Sequence, residues 1–319
     1  MQCRICGSEA KHPLYQVPEM MLGLNDQHAY FQCQECHCLQ IQTIPDNLAA
    51  YYPEHYYSYE QPKQASGLKQ YLVQQRDRYA VTGQNLFGQL LHLLMPNAKL
   101  STLRALKLKQ DSRILDVGCG AGLLLHSLKE LGYKHLLGID PFNQATLRYP
   151  NGLVIEKRDI FAEQNTWDVI MFHHSFEHLP EQQATLQQAH KLLANDGIAL
   201  LRVPTVSSYA WQHYGINWVQ LDAPRHLFLH SVESIAALAQ QCGFSVEAVL
   251  YDSNAFQFWG SEQYEKGIPL RSERSWAENK QNALFTEKQI RHYERRAREL
   301  NAVNQGDQAA FYLRKKRTA

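Results

Sequence analysis

The sequence predicts an α/β protein in which a doubly wound, mostly parallel sheet of seven strands follows a small cysteine-rich module. Three observations support this prediction. After residue 110, short apolar runs alternate with amphipathic stretches. The first run ends in a glycine loop, Asp116-Val-Gly118-Cys-Gly120-Ala-Gly122. Two Cys-x-x-Cys pairs lie at the amino-terminal end, ahead of all these runs.

The alternation of runs assigns the strands and helices of the sheet. The predicted strands are 113–117, 136–139, 153–156, 169–172, 198–203, 246–251 and 309–314. Amphipathic helices are predicted at 123–131, 184–193 and 231–243, each closed near a glycine. Because buried parallel strands read as short apolar runs between helices, this pattern is typical of βαβ units.

The chain divides into three predicted regions. Residues 1–45 form a zinc-ribbon-like module. Residues 46–108 hold an aromatic loop, which includes Tyr51 to Tyr59, and connecting helices indicated by Leu86, Leu90 and Leu94 at helical spacing. Residues 109–319 form the sheet domain, with a charged helical insertion at about 262–305 before the last strand.

Composition argues against several classes of partner and location. Basic and acidic residues nearly balance, giving a net charge of +1, so no global field draws the chain to nucleic acid or to a membrane. No apolar run approaches the roughly 20 residues of a membrane span, and the amino terminus lacks a signal-peptide core. We therefore expect a cytoplasmic protein without a membrane partner, and the charge disfavours a nucleic-acid partner without excluding one.

The cysteine pairs predict a metal site. Cys3 and Cys6 form one chelating pair and Cys33 and Cys36 the other, and four thiolates at such spacing surround Zn²⁺ tetrahedrally. A closed four-cysteine site has no open position, so the zinc is expected to be structural. His37 and Cys38 lie beside the second pair and are alternatives for the fourth ligand.

The glycine loop predicts a pocket for a zwitterionic nucleoside. Its G-x-G-x-G spacing differs from the G-x-G-x-x-G of dinucleotide folds, and Asp116 ahead of it would repel a pyrophosphate but accept from an ammonium group. Asp140, after the second strand, is placed for the ribose hydroxyls. Asp159 and Ile160, after the third, are placed for adenine, although Asp159 also suits a helix cap.

In this order, the motifs resemble those of the class I S-adenosylmethionine-dependent methyltransferases, over about residues 110–251. The resemblance implies a Rossmann-like sheet and S-adenosylmethionine as cofactor. It places Asp116, Gly118 and Gly120 along the methionine moiety. The segment His173-His174-Ser-Phe-Glu177-His178 follows the fourth strand, and we place His174 near the sulfonium or the acceptor.

A zinc ribbon ahead of such a domain is similar to the arrangement in the sugar C-methyltransferases, which act on nucleotide-linked deoxysugars. Arg225-His226-Leu-Phe-Leu-His230 resembles the stretch in which those enzymes place a catalytic histidine, which makes His226 the candidate base. Those enzymes carry a further large C-terminal domain, whereas only residues 252–319 follow the sixth strand here, so the sequence predicts none.

These observations predict an enzyme that methylates oxygen or carbon of a small acceptor, such as a carbohydrate, nucleotide sugar or natural product. His226 would remove the acceptor's proton, and His174 would lie at the reaction centre. Two alternatives stay open: an RNA or protein methyltransferase, and a noncatalytic partner that binds the cofactor.

Overall fold

The computed structural model describes residues 1–52 and 66–316, so most of the aromatic tract predicted from Tyr51 to Tyr59 lies outside the described residues. The strands within these ranges are β1 (Leu14–Pro18), β2 (Gln27–Gln32), β3 (Leu39–Ile41), β4 (Arg113–Val117), β5 (His135–Ile139), β6 (Leu147–Arg148), β7 (Val154–Glu156), β8 (Trp167–His173), β9 (Leu193–Pro204), β10 (Phe228–Leu229), β11 (Phe244–Tyr251) and β12 (Gln308–Lys315).

Helices cover the faces of the larger sheet and connect its strands. They are α1 (Gly67–Thr82), α2 (Leu86–Leu94), α3 (Ala98–Ser101), α4 (Leu123–Glu130), α5 (Gln182–Leu192), α6 (Tyr209–Tyr214), α7 (Val232–Gln241), α8 (Phe256–Glu265) and α9 (Glu287–Ala302). Within the part of the chain that the structure describes, none of these helices combines the length and apolar character needed to cross a bilayer.

Eight strands form the central sheet in the order β11-β12-β9-β8-β4-β5-β7-β6. β9, β8, β4, β5 and β7 are mutually parallel, whereas β12 runs antiparallel to both β9 and β11. All seven predicted strands are present, and the eighth, β6, is a two-residue antiparallel edge. The predicted doubly wound α/β fold is therefore confirmed. One detail differs: Gly197 lies inside β9 and does not close α5.

The central strand β4 is buried on both faces, as its unbroken apolar run predicts. Ile114 and Leu115 are fully buried and point to opposite sides of the sheet. Leu115 packs in the cluster that includes side chains of α5 and α7, and Ile114 packs with side chains of α1 and α4. The helices on both faces of the sheet thus pack against β4, the strand that precedes the glycine loop.

A second, four-stranded sheet has the order β1-β2-β3-β10. Its first three strands come from the amino-terminal end, but β10 comes from the segment that follows β9. Phe228 pairs with Gln40, and Leu229 pairs with Leu39. The small sheet is therefore completed by residues only two positions beyond His226.

A buried ion pair strengthens this junction. Arg225 Nη2 lies 2.7 Å from Glu19 Oε1 and 2.7 Å from Asp222 Oδ1, and the side chains of Arg225 and Glu19 are fully buried. The Arg225 Nη1 group also donates to the Tyr51 carbonyl oxygen at 3.2 Å. Because a buried guanidinium is costly unless its donors are paired, these acceptors fix the position of the chain beside His226.

We predict that Glu19→Gln lowers the free energy of unfolding by about 3 kcal/mol, because it leaves a buried cation with only one carboxylate. Urea denaturation measures the change. The matched control is Asp168→Asn, which breaks the exposed ion pair with Arg113 and should cost no more than about 1 kcal/mol. Equal losses for the two variants would contradict a structural role for the buried pair.

Candidate active site

The glycine loop follows β4 in a conformation that requires glycine. Gly118, Gly120 and Gly122 all have positive φ, at 69°, 55° and 74°. A Cβ atom added at Gly118 would lie 2.5 Å from Ser175 Cβ, which is closer than carbon atoms approach. The loop therefore passes close to Ser175 at the carboxyl edge of the sheet, and the Gly118 N–H group donates to the Ile139 carbonyl oxygen at 2.8 Å.

Asp116 places a buried carboxyl group under this loop. Its Oδ1 atom is buried and has no hydrogen-bond partner among the described residues. Burial, and then the nearby Asp140, raise the pKa of Asp116 to about 8, while Lys99 acts in the opposite direction. An unpaired buried carboxyl group calls for a ligand donor. The ammonium of a methionine moiety supplies a cationic donor, so Asp116 fits S-adenosylmethionine.

Asp140 follows β5 and holds the glycine loop in place. Its Oδ2 accepts from Gly120 N at 2.8 Å, and its Oδ1 accepts from Phe142 N at 2.9 Å. A carboxylate accepts about four hydrogen bonds, so both oxygens keep capacity for the ribose hydroxyls predicted here. Burial raises the pKa of Asp140, and these backbone N–H groups oppose the rise.

Asp159 lies after β7, as predicted, but its side chain is engaged locally. Oδ1 accepts from the backbone N–H groups of Phe161 and Ala162, at 3.0 and 3.2 Å, and so caps a short 3-10 helix. This is the helix-cap role that the sequence left open. Ile160 is buried against the core cluster beside α5. Their contact with adenine stays a prediction.

The segment after β8 provides a buried acid and two histidines. Glu177 is fully buried in a 3-10 turn, and His174 Nδ1 lies 3.2 Å from its Oε1. Burial alone would raise the pKa of Glu177, but the hydrogen bond from His174 and the charges of His178, His174 and His226 lower it to about 2. Glu177 is therefore a carboxylate, and its Oε2 has no partner in the described structure.

His226 is the second histidine near the Glu177 carboxylate. Its Nδ1 lies 2.8 Å from the Gln220 carbonyl oxygen, which can only accept, so Nδ1 carries the proton and Nε2 of the neutral ring is free to accept one. Nε2 lies 3.9 Å from Glu177 Oε1 and 3.8 Å from Asp222 Oδ2. The predicted base thus has a fixed tautomer and two carboxylates beside its free nitrogen.

His178 is oriented in the same way and packs edge-on against His226, with ring centroids 4.7 Å apart. Its Nδ1 donates to the Arg225 carbonyl oxygen at 2.9 Å. Burial, and then the charge of His226, lower the pKa of His178 to about 4, so this ring is neutral. Ligand atoms of Glu177, His178 and His226 lie within 4.8 Å of one another, a spacing that suits either proton transfer or one divalent ion.

The four predicted zinc ligands are brought together by the amino-terminal module. The Sγ atoms of Cys3, Cys6, Cys33 and Cys36 lie within 4.8 Å of one another, with Cys3 to Cys36 at 3.6 Å and Cys6 to Cys33 at 3.5 Å. A tetrahedral Zn²⁺ with Zn–S bonds of about 2.3 Å separates its sulfurs by about 3.8 Å. Their thiols therefore fit one zinc ion.

The two alternative ligands lie elsewhere. The Cys38 Sγ atom is buried 4.0 Å from His230 Nδ1, and the side chain of His37 is exposed. The Cys3 Sγ atom also accepts from Gln40 Nε2 at 3.1 Å and from Ile5 N at 3.4 Å. Donors directed at a ligand sulfur are typical of metal–thiolate sites. The geometry thus favours the four-cysteine set.

Comparison with known proteins identifies the family. Residues 89–249 match the family model of a methyltransferase domain, a span of about half the chain. The chain belongs to this methyltransferase family. The resemblance to class I S-adenosylmethionine-dependent methyltransferases, drawn from the glycine loop and the strand pattern, is confirmed.

The methyltransferase is similar to curated ubiquinone biosynthesis O-methyltransferases. Identity is 34% over 99 residues with that of Colwellia psychrerythraea, covering 28% of this chain and 40% of the relative. It is 28% over 148 residues with that of Paraburkholderia xenovorans, covering 42% and 63%. The chain thus spans about half the length of the curated relatives it matches.

Among solved structures, the cyclopropane synthase MmaA2 from Mycobacterium tuberculosis matches the methyltransferase at 18% identity with a TM-score of 0.43. This alignment covers 70% of this chain and 88% of the synthase.

Several residues of this site were not predicted. Asp222 and Glu177 flank His226, but Glu177 is 49 positions away in sequence, and no periodic pattern indicates such a contact. Both ring nitrogens of His173, at the end of β8, are buried and have no hydrogen-bond partner among the described residues, although His174 was the residue predicted for the reaction centre. The sequence offered one signal for these residues, the run of titratable side chains after β8. That run does not indicate which of its neighbouring residues faces the site.

We predict that binding of S-adenosylhomocysteine at pH 7 releases about one proton, because the Asp116 carboxyl must ionise to meet the ammonium. The folded pKa of about 8 lies above that of a free carboxyl group, so affinity should fall as pH drops below 8, by up to about tenfold per unit. Calorimetry in buffers of different ionisation enthalpy measures the release.

The matched control for this proton release is Asp159→Asn, which should retain it, whereas Asp116→Asn should abolish it. Binding heats that do not depend on the buffer would contradict the assignment of Asp116 to the ammonium.

For the cysteine site, we predict about one equivalent of zinc in the purified protein, and its loss in Cys3→Ser and in Cys33→Ser because each removes one of four ligands. Elemental analysis by mass spectrometry measures the metal. Cys242→Ser is the control, since Cys242 lies in the core beside α7 and should not affect it. Full metal content in both ligand variants would refute the site.

Proposed function

We propose that this methyltransferase transfers the methyl group of S-adenosylmethionine to a hydroxyl oxygen of a small molecule, with an acidic carbon as the alternative acceptor atom. Asp116, Gly118, Gly120, Asp140, Asp159, Ile160 and His174 line the cofactor side in this proposal. Membership of the family and the unpaired Asp116 carboxyl group support it. Curated relatives named as O-methyltransferases favour oxygen, and others named as C-methyltransferases keep carbon as the alternative.

The placement of His226 carries the proposal for the acceptor side. The cofactor supplies a methyl group that is already activated for displacement, so the protein must position the acceptor and remove its proton. The free Nε2 of His226 accepts the hydroxyl proton as the oxygen forms its bond to the methyl carbon and the carbon–sulfur bond breaks. The protein thus holds the proton at one defined atom.

Two carboxylates stabilise the charge that this transfer creates. Once protonated, the His226 imidazolium carries positive charge within 4 Å of Glu177 Oε1 and Asp222 Oδ2. Such preorganised charges lower the energy of a developing cation in a site with little water. Asp222 is in turn held by Arg225, whose guanidinium lowers its pKa against the effect of burial. The proposed base therefore has its counter-ions in place before an acceptor binds.

The acceptor is proposed to be a hydroxylated carbohydrate or natural product, bound between the carboxyl edge of the sheet and residues 205–230. Three aromatic side chains of that segment, Trp211, Tyr214 and Trp218, are buried in the core. Among the described residues, Tyr52 lies beside the site, with its hydroxyl 3.2 Å from His178 Nδ1. We include this hydroxyl among the polar groups proposed to contact the acceptor.

We predict that His226→Asn lowers kcat with a responsive hydroxylated acceptor by about 10²- to 10⁴-fold, because a positioned general base contributes that much. Release of S-adenosylhomocysteine across a panel of sugars and phenols, with and without added Mg²⁺, measures turnover. His213→Asn is the control: His213 lies in the same segment but is exposed and stacks on Tyr209. Its kcat should be unchanged.

The outcomes separate the alternatives. Normal turnover by His226→Asn would show that the acceptor needs no base at this position. Turnover only with added Mg²⁺ would show that Glu177, His178 and His226 bind a metal ion. Methylation of RNA or protein alone, or cofactor binding without turnover on any acceptor, would overturn the small-molecule proposal.

A further inference from the structure

Helix α2 presents an apolar face to solvent. The exposed fractions are 84% for Leu86, 46% for Phe87, 57% for Leu90, 74% for Leu93, 73% for Leu94 and 66% for Met95, which follows the helix. Leu86, Leu90, Leu93 and Leu94 recur at the spacing of one helical face, a pattern that normally turns toward a core. We call these six residues the α2 face.

The orientation of α2 is fixed by the opposite side of the helix. Gly88 is buried against α1, and a Cβ atom there would lie 2.3 Å from the Gln75 carbonyl oxygen. At the start of the helix, the Asn85 side chain accepts from the backbone N–H groups of Phe87 and Gly88. A rotation of α2 that buried its leucines would break both arrangements, so the exposure of the α2 face is built into the packing.

The stretch of chain that contains this face is strongly basic. Residues 66–110 contain seven basic residues and one acidic residue, a net charge of +6 in a chain whose total is +1. The single acidic residue, Asp77, is buried and paired with Arg76 at 2.7 Å. The exposed cations of this stretch are Lys69, Arg78, Lys99, Lys107 and Lys109.

We propose that the α2 face binds the surface of a membrane that contains anionic phospholipids. An apolar helical face in a stretch, residues 66–110, that exposes cations and no acid is suited to lie in the plane of the interface, with its leucines among the acyl chains and the cations near the phosphates. The whole-chain charge led us to expect no membrane partner. The net charge of the whole chain does not show the excess of basic residues in 66–110. The exposure of the α2 leucines is known only from the folded structure.

Charge also decides against a second copy of the chain as the occupant. A twofold interface brings the same patch of each molecule together, so it would place two regions of +6 against each other. Like charges at close range oppose such an association. An anionic surface, by contrast, is complementary to the cations and accommodates the leucines.

Co-sedimentation with vesicles tests this proposal. The full chain should bind vesicles of phosphatidylcholine containing about a third phosphatidylglycerol, and bind pure phosphatidylcholine at least about tenfold more weakly. The double variant Leu90→Glu/Leu94→Glu should lose at least about tenfold in binding to the anionic vesicles, because it places charge within the apolar face. The double variant Lys107→Gln/Lys109→Gln should weaken only the electrostatic part of vesicle binding, which is the part that added salt also weakens.

The matched control is Leu14→Glu/Val303→Glu, which adds the same two charges at exposed apolar positions outside the α2 face. It should bind vesicles as the unmodified chain does. Unchanged affinity for S-adenosylhomocysteine verifies that each variant is folded. Equal vesicle binding by the α2 variant and the control would overturn the proposal. The proposal would also be overturned if the unmodified chain forms a dimer, the α2 variant is a monomer, and neither protein binds the vesicles.

Discussion

The buried charge of Arg225 is held between Glu19 and Asp222, and the position of the segment that carries His226 depends on that arrangement. The guanidinium ties the amino-terminal module to the loop after β9. The backbone carbonyl oxygen of Arg225 accepts a hydrogen bond from His178 Nδ1, so Arg225 also orients a histidine of the site. His226 follows directly, and its backbone N–H donates to the Asp222 carbonyl oxygen at 3.2 Å. The cost of burying one cation is therefore offset by contacts that also place the proposed base.

Two hydrogen bonds link the amino-terminal module, which carries the cysteine cluster, to the segment that follows β9. The Ser231 hydroxyl donates to the Cys36 carbonyl oxygen at 2.5 Å, and the Tyr30 hydroxyl donates to the carbonyl oxygen of His226 at 2.7 Å. Pairing of β10 with β3 lies between these two contacts. A structural metal at the cysteines would thus stabilise the wall of the acceptor region, as well as the small sheet.

Sequence patterns predicted the parts of the fold that local physics determines. The apolar run of β4 and the positive φ of Gly118 and Gly120 follow from residue type, and the structure has them where they were expected. The contact of Glu177 with His226 arises from tertiary packing, which periodicity does not encode. Trp211 and Trp218 lie in the segment proposed to border the acceptor, but their large side chains are buried and fill the core.

The pairing of β10 with β3 has a consequence for how such proteins are recombined. A chimera that exchanges only residues 205–230 between two relatives would introduce a β10 evolved against a different β3, and an Arg225 position without its Glu19 counterpart. The exchangeable unit is discontinuous in sequence: it comprises the first three strands together with the loop after β9. A transplant that keeps β10 paired with β3, and Arg225 paired with Glu19, therefore has to move both distant segments together.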